Sequence, residues 1–194
     1  MIPSRETIED LATQTAFEPR QLEIVLRLRD LLQALRNESV LDASLALKGG
    51  TPLNLCFGPP PRLSVDLHFN FIGAVDRDAM LAARPDVEAG VERLARRRGY
   101  RAQWSRPEHA GRRAFLRYAS ALGGEATIVI DVNYLHRVPL AGIEERVIWD
   151  PGTGDPVTAR VVSTGQVHAP TLMGLAPSTK NAANLRRLNA IARV

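Results

Sequence analysis

Asp66, His68 and Asp131 are the side chains whose types and spacing best fit chemistry on a common face. In RLSVDLHFNF, residues 62–71, polar and apolar residues alternate without a break. Side chains alternate across a sheet, so Arg62, Ser64, Asp66, His68 and Asn70 share one face of a strand. Leu63, Val65, Leu67, Phe69 and Phe71 enter the core from the other. Asp66 and His68 then stand about 7 Å apart at Cα, close enough to converge on one ion. ATIVIDVNY repeats the pattern, with Asp131 and Asn133 on one face and Ile128, Ile130 and Val132 on the other. Carboxylates on adjacent strands beside a phosphate loop can hold Mg²⁺ against a nucleoside triphosphate.

The phosphate loop is sought in LKGGTPL, residues 47–53. Two glycines ahead of a helix let the backbone approach a ligand closely, and Lys48 adds a full positive charge. Thr51-Pro52 reads as a helix cap followed by proline in the first turn. This is not a Walker loop, because the G-x-x-x-x-G-K-[ST] spacing is missing.

The elements that must position these residues are legible from hydrophobic period. PRQLEIVLRLRDLLQALRN, from Pro19, carries apolar residues at helical spacing. Residues 40–47 form a short helix or strand, and a short helix opens at Thr51. A second long helix is expected over 85–98, its far end basic through Arg93, Arg96, Arg97 and Arg98. Strands are expected at 113–119, 126–132 and near 145–149, the first two joined by a Gly-Gly turn. The segment 150–180 reads as loop with at most one short element, and NAANLRRLNAIARV as a final amphipathic helix. Helices packed on a small mixed sheet make the fold α/β (α+β). One domain over 1–194 is expected: N-terminal helices to 40, a core over 41–150, and a short basic helical region over 151–194.

With 45% hydrophobic and 24% charged residues, the composition is that of a globular domain. No apolar run reaches membrane-span length, and the polar N-terminus does not read as a signal sequence. A cytoplasmic protein with no membrane partner is the expectation, and the lone Cys56 reads as a small core residue. The net charge of +4 favours polyanionic partners. Arginines at 96, 97, 112, 113, 186 and 187 are the candidate RNA contacts. All but two of the 25 basic residues are arginine, which draws attention to the lysines, Lys48 and Lys180. His109 lies between basic residues, where it could meet a phosphate or simply be exposed, and His136 and His168 have no partner at metal spacing.

KGGT, then R-x-S-x-D on a strand a dozen residues later, then an aspartate on a distant strand, resembles the AbiEii/MenT-type nucleotidyltransferase toxins. The resemblance spans roughly residues 45–140. It implies the minimal nucleotidyltransferase core of DNA polymerase β. It also implies a two-gene toxin–antitoxin system in which a nucleoside monophosphate passes from an NTP to the 3′ acceptor end of tRNA, blocking translation. By that resemblance Lys48, Gly49, Gly50 and Thr51 cradle the triphosphate, with Arg62 and Ser64 lining the phosphate side. Asp66 holds catalytic Mg²⁺, and Asp131 is the third carboxylate, near the attacking hydroxyl. Cognate antitoxin, tRNA and NTP are the implied partners.

Two departures from the family pattern stand out. The pattern reads S-x-D-x-D, whereas His68 replaces the second aspartate. Imidazole is a poor Mg²⁺ ligand and suits Mn²⁺ or Zn²⁺ better. Either the enzyme works with an altered metal set, or it is a degenerate member that binds nucleotide, RNA or antitoxin without catalysis. The second departure is the tail: Lys180 can stand for the family's later lysine, but no later acidic residue follows, so a short or altered C-terminal region is expected.

Overall fold

The computed structural model describes residues 3–56, 60, 63–152 and 154–163. The chain begins with α1 (Arg5–Thr15), capped by Ser4, whose hydroxyl accepts from the Thr7 amide, and continues with α2 (Pro19–Arg36). The 40–47 segment turns out to be both kinds of element: α3 (Ser39–Ser44) runs directly into β1 (Leu45–Lys48). Then come α4 (Gly50–Leu55), β2 (Asp66–Phe71), α5 (Arg77–Arg97), β3 (Arg101–Trp104), β4 (Gly111–Ala119), β5 (Glu125–Asn133), β6 (Ile143–Ile148) and β7 (Val157–Val162).

The strands form one seven-stranded mixed sheet in the order β3-β4-β5-β2-β1-β7-β6. The β2–β5 and β1–β7 pairs are parallel, and the remaining neighbours are antiparallel. Leu67, Phe69 and Phe71 of β2 and Ile128, Ile130 and Val132 of β5 are buried, as the alternation requires. They share one core with Leu22, Val25, Leu28 and Leu32 of α2 and with Val87, Val91 and Leu94 of α5. The mixed α/β architecture is the one expected.

Several boundaries differ from the sequence reading. The alternating strand starts at Asp66 rather than Arg62, and Val65, expected in the core, is 44% exposed. Alternation continues past the end of the strand because hydrogen-bond pairing, not side-chain type, decides where a strand starts. The second long helix starts at Arg77, where Asp76 accepts from the amides of Asp78 and Ala79. Pro85 lies inside it instead of opening it, two helical turns after a strong cap. β3 was not foreseen, being a short strand within polar sequence, and β7 is the one short element allowed for within 150–180. The expected C-terminal helix lies outside the described residues.

A buried ion pair ties α2 to the β4–β5 turn. Arg27 Nε donates to Glu23 Oε1 at 2.9 Å, and both side chains are almost fully enclosed. The Arg27 guanidinium lies 3.9 Å from the centre of the Tyr118 ring and donates to the Ala119 carbonyl. Glu23 accepts from the Ser120 hydroxyl at 2.6 Å and the Ala121 amide at 3.0 Å. Burial alone would raise the Glu23 carboxyl; the bonds from Ser120, Ala121 and Arg27 outweigh it and hold the group below its ordinary value.

Removing one member of such a pair strands the other charge in the core. Arg27→Ala should therefore destabilise the fold by about 3–5 kcal/mol, read as a lower urea midpoint at unchanged m. A depressed folded pKa contributes stability above the unfolded value and loses it as pH falls through the folded one. The loss of stability on acidification below the ordinary value of 4.5 should be shallower in Glu23→Gln than in the parent chain.

Candidate functional site

Four strands place one polar residue each in a single row across the sheet. Lys48 on β1 lies opposite His68 on β2, His68 opposite Asp131 on β5, and Asp131 opposite Arg113 on β4. Neighbouring strands are about 4.8 Å apart, so adjacent members of the row are within side-chain reach. Asp66, two residues before His68, projects from the same face.

The contacts follow from that row. His68 Nε2 donates to Asp66 Oδ2 at 2.8 Å, while Nδ1 of the same ring lies 4.0 Å from Asp131 Oδ2. Arg113 Nε donates to that Asp131 oxygen at 3.0 Å. The imidazole thus stands between the two carboxylates, each of which has one oxygen engaged by a nitrogen. All four side chains remain partly exposed.

The glycine segment lies at the mouth of this row. Gly49 has φ 77° and ψ −148°, a backbone region that only glycine adopts readily, and a Cβ built there would meet nothing within 4 Å. Space is therefore open above the Lys48–Gly49 junction. Gly49, not Thr51, takes the cap position of α4. Thr51 is buried instead, its hydroxyl donating to the Asp66 carbonyl at 2.8 Å and tying the glycine segment to the start of β2. Asn54 Nδ2 donates to the Gly50 carbonyl and to Ser64 Oγ, at 2.9 and 3.1 Å. Ser64 is thereby held against the loop although it precedes the strand proper.

Beside Asp131 lies a polar recess of about 190 Å³ lined by Ser105, Glu108, Arg112, Arg113, Asp131 and Asn133. Its wall is braced from the helical layer. Glu88 on α5 accepts from Arg84 Nε at 2.8 Å and pairs with Arg112. Arg84 also lies 4.5 Å from the centre of the Tyr134 ring and donates to the Glu108 carbonyl. Gly111 begins β4 where a Cβ would come within 2.7 Å of the Val132 carbonyl oxygen, so a side chain there would push the strand away.

Lys48, Gly49, Gly50, Thr51, Ser64, Asp66, His68 and Asp131 are thus brought together. Arg113, expected at an RNA surface, is instead bound to Asp131, because register places it opposite that aspartate. Arg112 is likewise used within the fold, its strand alternation turning it toward Glu88. Arg97 pairs with Glu38 at the α2–α3 junction, so the basic end of α5, with exposed Arg96, is not among the site's contacts. Arg62, Lys180, Arg186 and Arg187 lie outside the described residues. Asn54 was not foreseen; its signal is a polar residue set within the apolar run PLNLCF, one helical turn after Gly50.

Magnesium, implied by the family resemblance, can be tested against these donors. Mg²⁺ demands hard oxygen ligands in near-octahedral array. Two carboxylates are present, each with one oxygen engaged, and an imidazole lies between them. Among the described residues no group of three or more His, Cys, Asp or Glu side chains is arranged to hold a metal ion. These residues do not fit a two-magnesium site.

Comparison with known proteins gives a consistent picture. Residues 30–178 match the family described as nucleotidyl transferase AbiEii toxin, type IV toxin–antitoxin system. No curated protein matches the chain. Among solved structures, MenT4, a nucleotidyltransferase toxin from Mycobacterium tuberculosis H37Rv, is 24% identical with a TM-score of 0.54, over 84% of this chain and 55% of its own. JHP933 from Helicobacter pylori is 17% identical with a TM-score of 0.45, over 72% and 52%. The chain therefore spans about half the length of these solved proteins. No helix among the described residues is long and apolar enough to cross a membrane.

The backbone at Gly49 yields a direct test. Gly49→Ala meets no steric neighbour, yet should lower stability by about 1–3 kcal/mol through its φ/ψ alone, as measured by urea unfolding. A neutral result would mean that the segment adopts another conformation.

Proposed function

The chain belongs to the AbiEii nucleotidyltransferase toxin family of type IV toxin–antitoxin systems, and on that premise we propose that it transfers a nucleoside monophosphate from an NTP to the 3′ acceptor end of a tRNA, blocking translation. The observation that best supports this reading is the Lys48–His68–Asp131–Arg113 row running past an open glycine segment. In this reading Lys48, Gly49, Gly50 and Thr51 receive the triphosphate, with Ser64 and Arg62 along its flank. Asp66, anchored through its carbonyl by Thr51, borders the α-phosphate.

The acceptor nucleotide enters the recess beside Asp131. Asp131 takes the proton of the 3′-hydroxyl as that oxygen bonds to the α-phosphorus. The bond from the α-phosphorus to the bridging oxygen breaks, and pyrophosphate leaves. Lys48, and Lys180 by family resemblance, offset the charge that collects on the leaving group. Exposed arginines supply salt-sensitive contact with the RNA backbone. A cognate antitoxin is the protein partner.

One observation favours a second reading. The imidazole of His68 fills the position between the carboxylates, which suits a member that binds nucleotide, RNA or antitoxin without transfer.

Incubation with tRNA and each α-labelled NTP, in Mg²⁺, Mn²⁺ or EDTA, separates the two. The transferase reading expects label at the tRNA 3′ end, reduced at least about 100-fold in Asp131→Asn. Absence of label in every condition, with tRNA still bound, selects the second reading. Loss of both label and tRNA binding overturns the transferase reading and removes RNA as a ligand of the second.

A further inference from the structure

We propose that this site binds the triphosphate of a nucleotide without a divalent cation, His68 occupying the room between Asp66 and Asp131 that an ion would need. The inference rests on reading the site as that of a nucleotidyltransferase and names how the substrate is held there.

Geometry comes first. A cation shared by two carboxylates must lie on the line of approach between their oxygens. Here the imidazole stands between the two groups, 2.8 Å from Asp66 Oδ2 through one nitrogen and 4.0 Å from Asp131 Oδ2 through the other. An ion could enter only if the ring left, with loss of its bond to Asp66. The ring is 38% exposed, but it is bonded to Asp66 two residues earlier and lies beside Asp131, its register partner on β5.

Charge points the same way. Lys48 and Arg113 flank the row, and Asp66 and Asp131 are its carboxylates, so the formal charges of these four cancel. The family pattern S-x-D-x-D would add a third carboxylate against the same two cations. That surplus negative charge would both attract a divalent ion and repel a bare triphosphate. Replacing the carboxylate by histidine removes both effects. Lys48 beside the open space at Gly49, together with the 63% exposed Arg113, then offers the triphosphate its countercharge directly.

The chemistry of the donors closes the alternative of a softer metal in the observed arrangement. Imidazole with carboxylate suits Mn²⁺ or Zn²⁺. However, Nε2 is committed to Asp66, and Nδ1 faces Asp131 rather than a point shared by all three groups.

Calorimetric titration of the full chain with non-hydrolysable α,β-methylene NTP analogues tests the proposal. In EDTA, Mg²⁺ and Mn²⁺ the Kd of the parent chain should agree within about threefold. His68→Asp restores the third carboxylate and should bind at least about tenfold more weakly in EDTA than in Mg²⁺. A parent chain that loses tenfold or more of its affinity in EDTA, or gains as much in Mn²⁺, overturns the proposal and leaves the transferase reading intact. Failure to bind any analogue in any buffer overturns both. The parent arm decides the matter even if His68→Asp does not fold. Metal-free binding without label transfer to tRNA upholds this inference and selects the binding-only reading of the preceding section.

Discussion

The parallel pairing of β2 with β5, in the register that sets His68 opposite Asp131, is the constraint on which the rest of the molecule depends. A strand has a side-chain period of two, so the register that aligns these polar residues also turns Leu67, Phe69, Ile128 and Ile130 into the core. Site and core are two faces of one decision. A slip of one residue would bury Asp66 and His68 and expose a phenylalanine pair, at a cost in desolvation that the native register avoids. The site accordingly needs no special loop to hold its carboxylates, since hydrophobic burial on one face positions the chemistry on the other.

The helical layer refines that position. Glu88 gathers Arg84 and Arg112, and Arg84 lies over Tyr134, so α5 grips both β4 and the end of β5. With Arg112 held toward the helix, alternation turns Arg113 toward Asp131. Two consecutive arginines thereby serve opposite faces: one carries load within the fold, the other meets the site. Thr51 and Asn54 do comparable work on the other flank, tying the glycine segment to Asp66 and Ser64.

Much of this was legible from the residues alone. The alternation in 62–71 and 126–133 announced two strands with a shared polar face, and KGGT announced a turn of unusual backbone. What could not be read was who stands beside whom. Register between strands distant in sequence assigns Arg113 to Asp131 and Lys48 to His68, and no local pattern encodes it. Pro85 misled because proline favours a first turn, yet the cap at Asp76 started the helix earlier. β3 escaped notice because its residues are mostly exposed, whereas β7 carries its own alternation, with Val157, Ala159 and Val161 buried, inside a segment rich in turn residues. His68 departs from the family pattern in sequence, but the register of β2 against β5 is what sets its ring between the two carboxylates instead of beside them.

The clasp between Glu23 and the β4–β5 turn has a bearing on when the row of polar residues can be assembled. Glu23 and Ser120 are 97 residues apart in sequence, so the contact is long-range and cannot close before the β4–β5 turn has been synthesised. Asp131 emerges later still, and until β5 inserts beside β2 the sheet has neither its central pairing nor the row of polar residues. A nascent chain therefore carries the glycine segment, Asp66 and His68 without their partners on β4 and β5. The row of Lys48, His68, Asp131 and Arg113 therefore exists only once the topology of the sheet is complete.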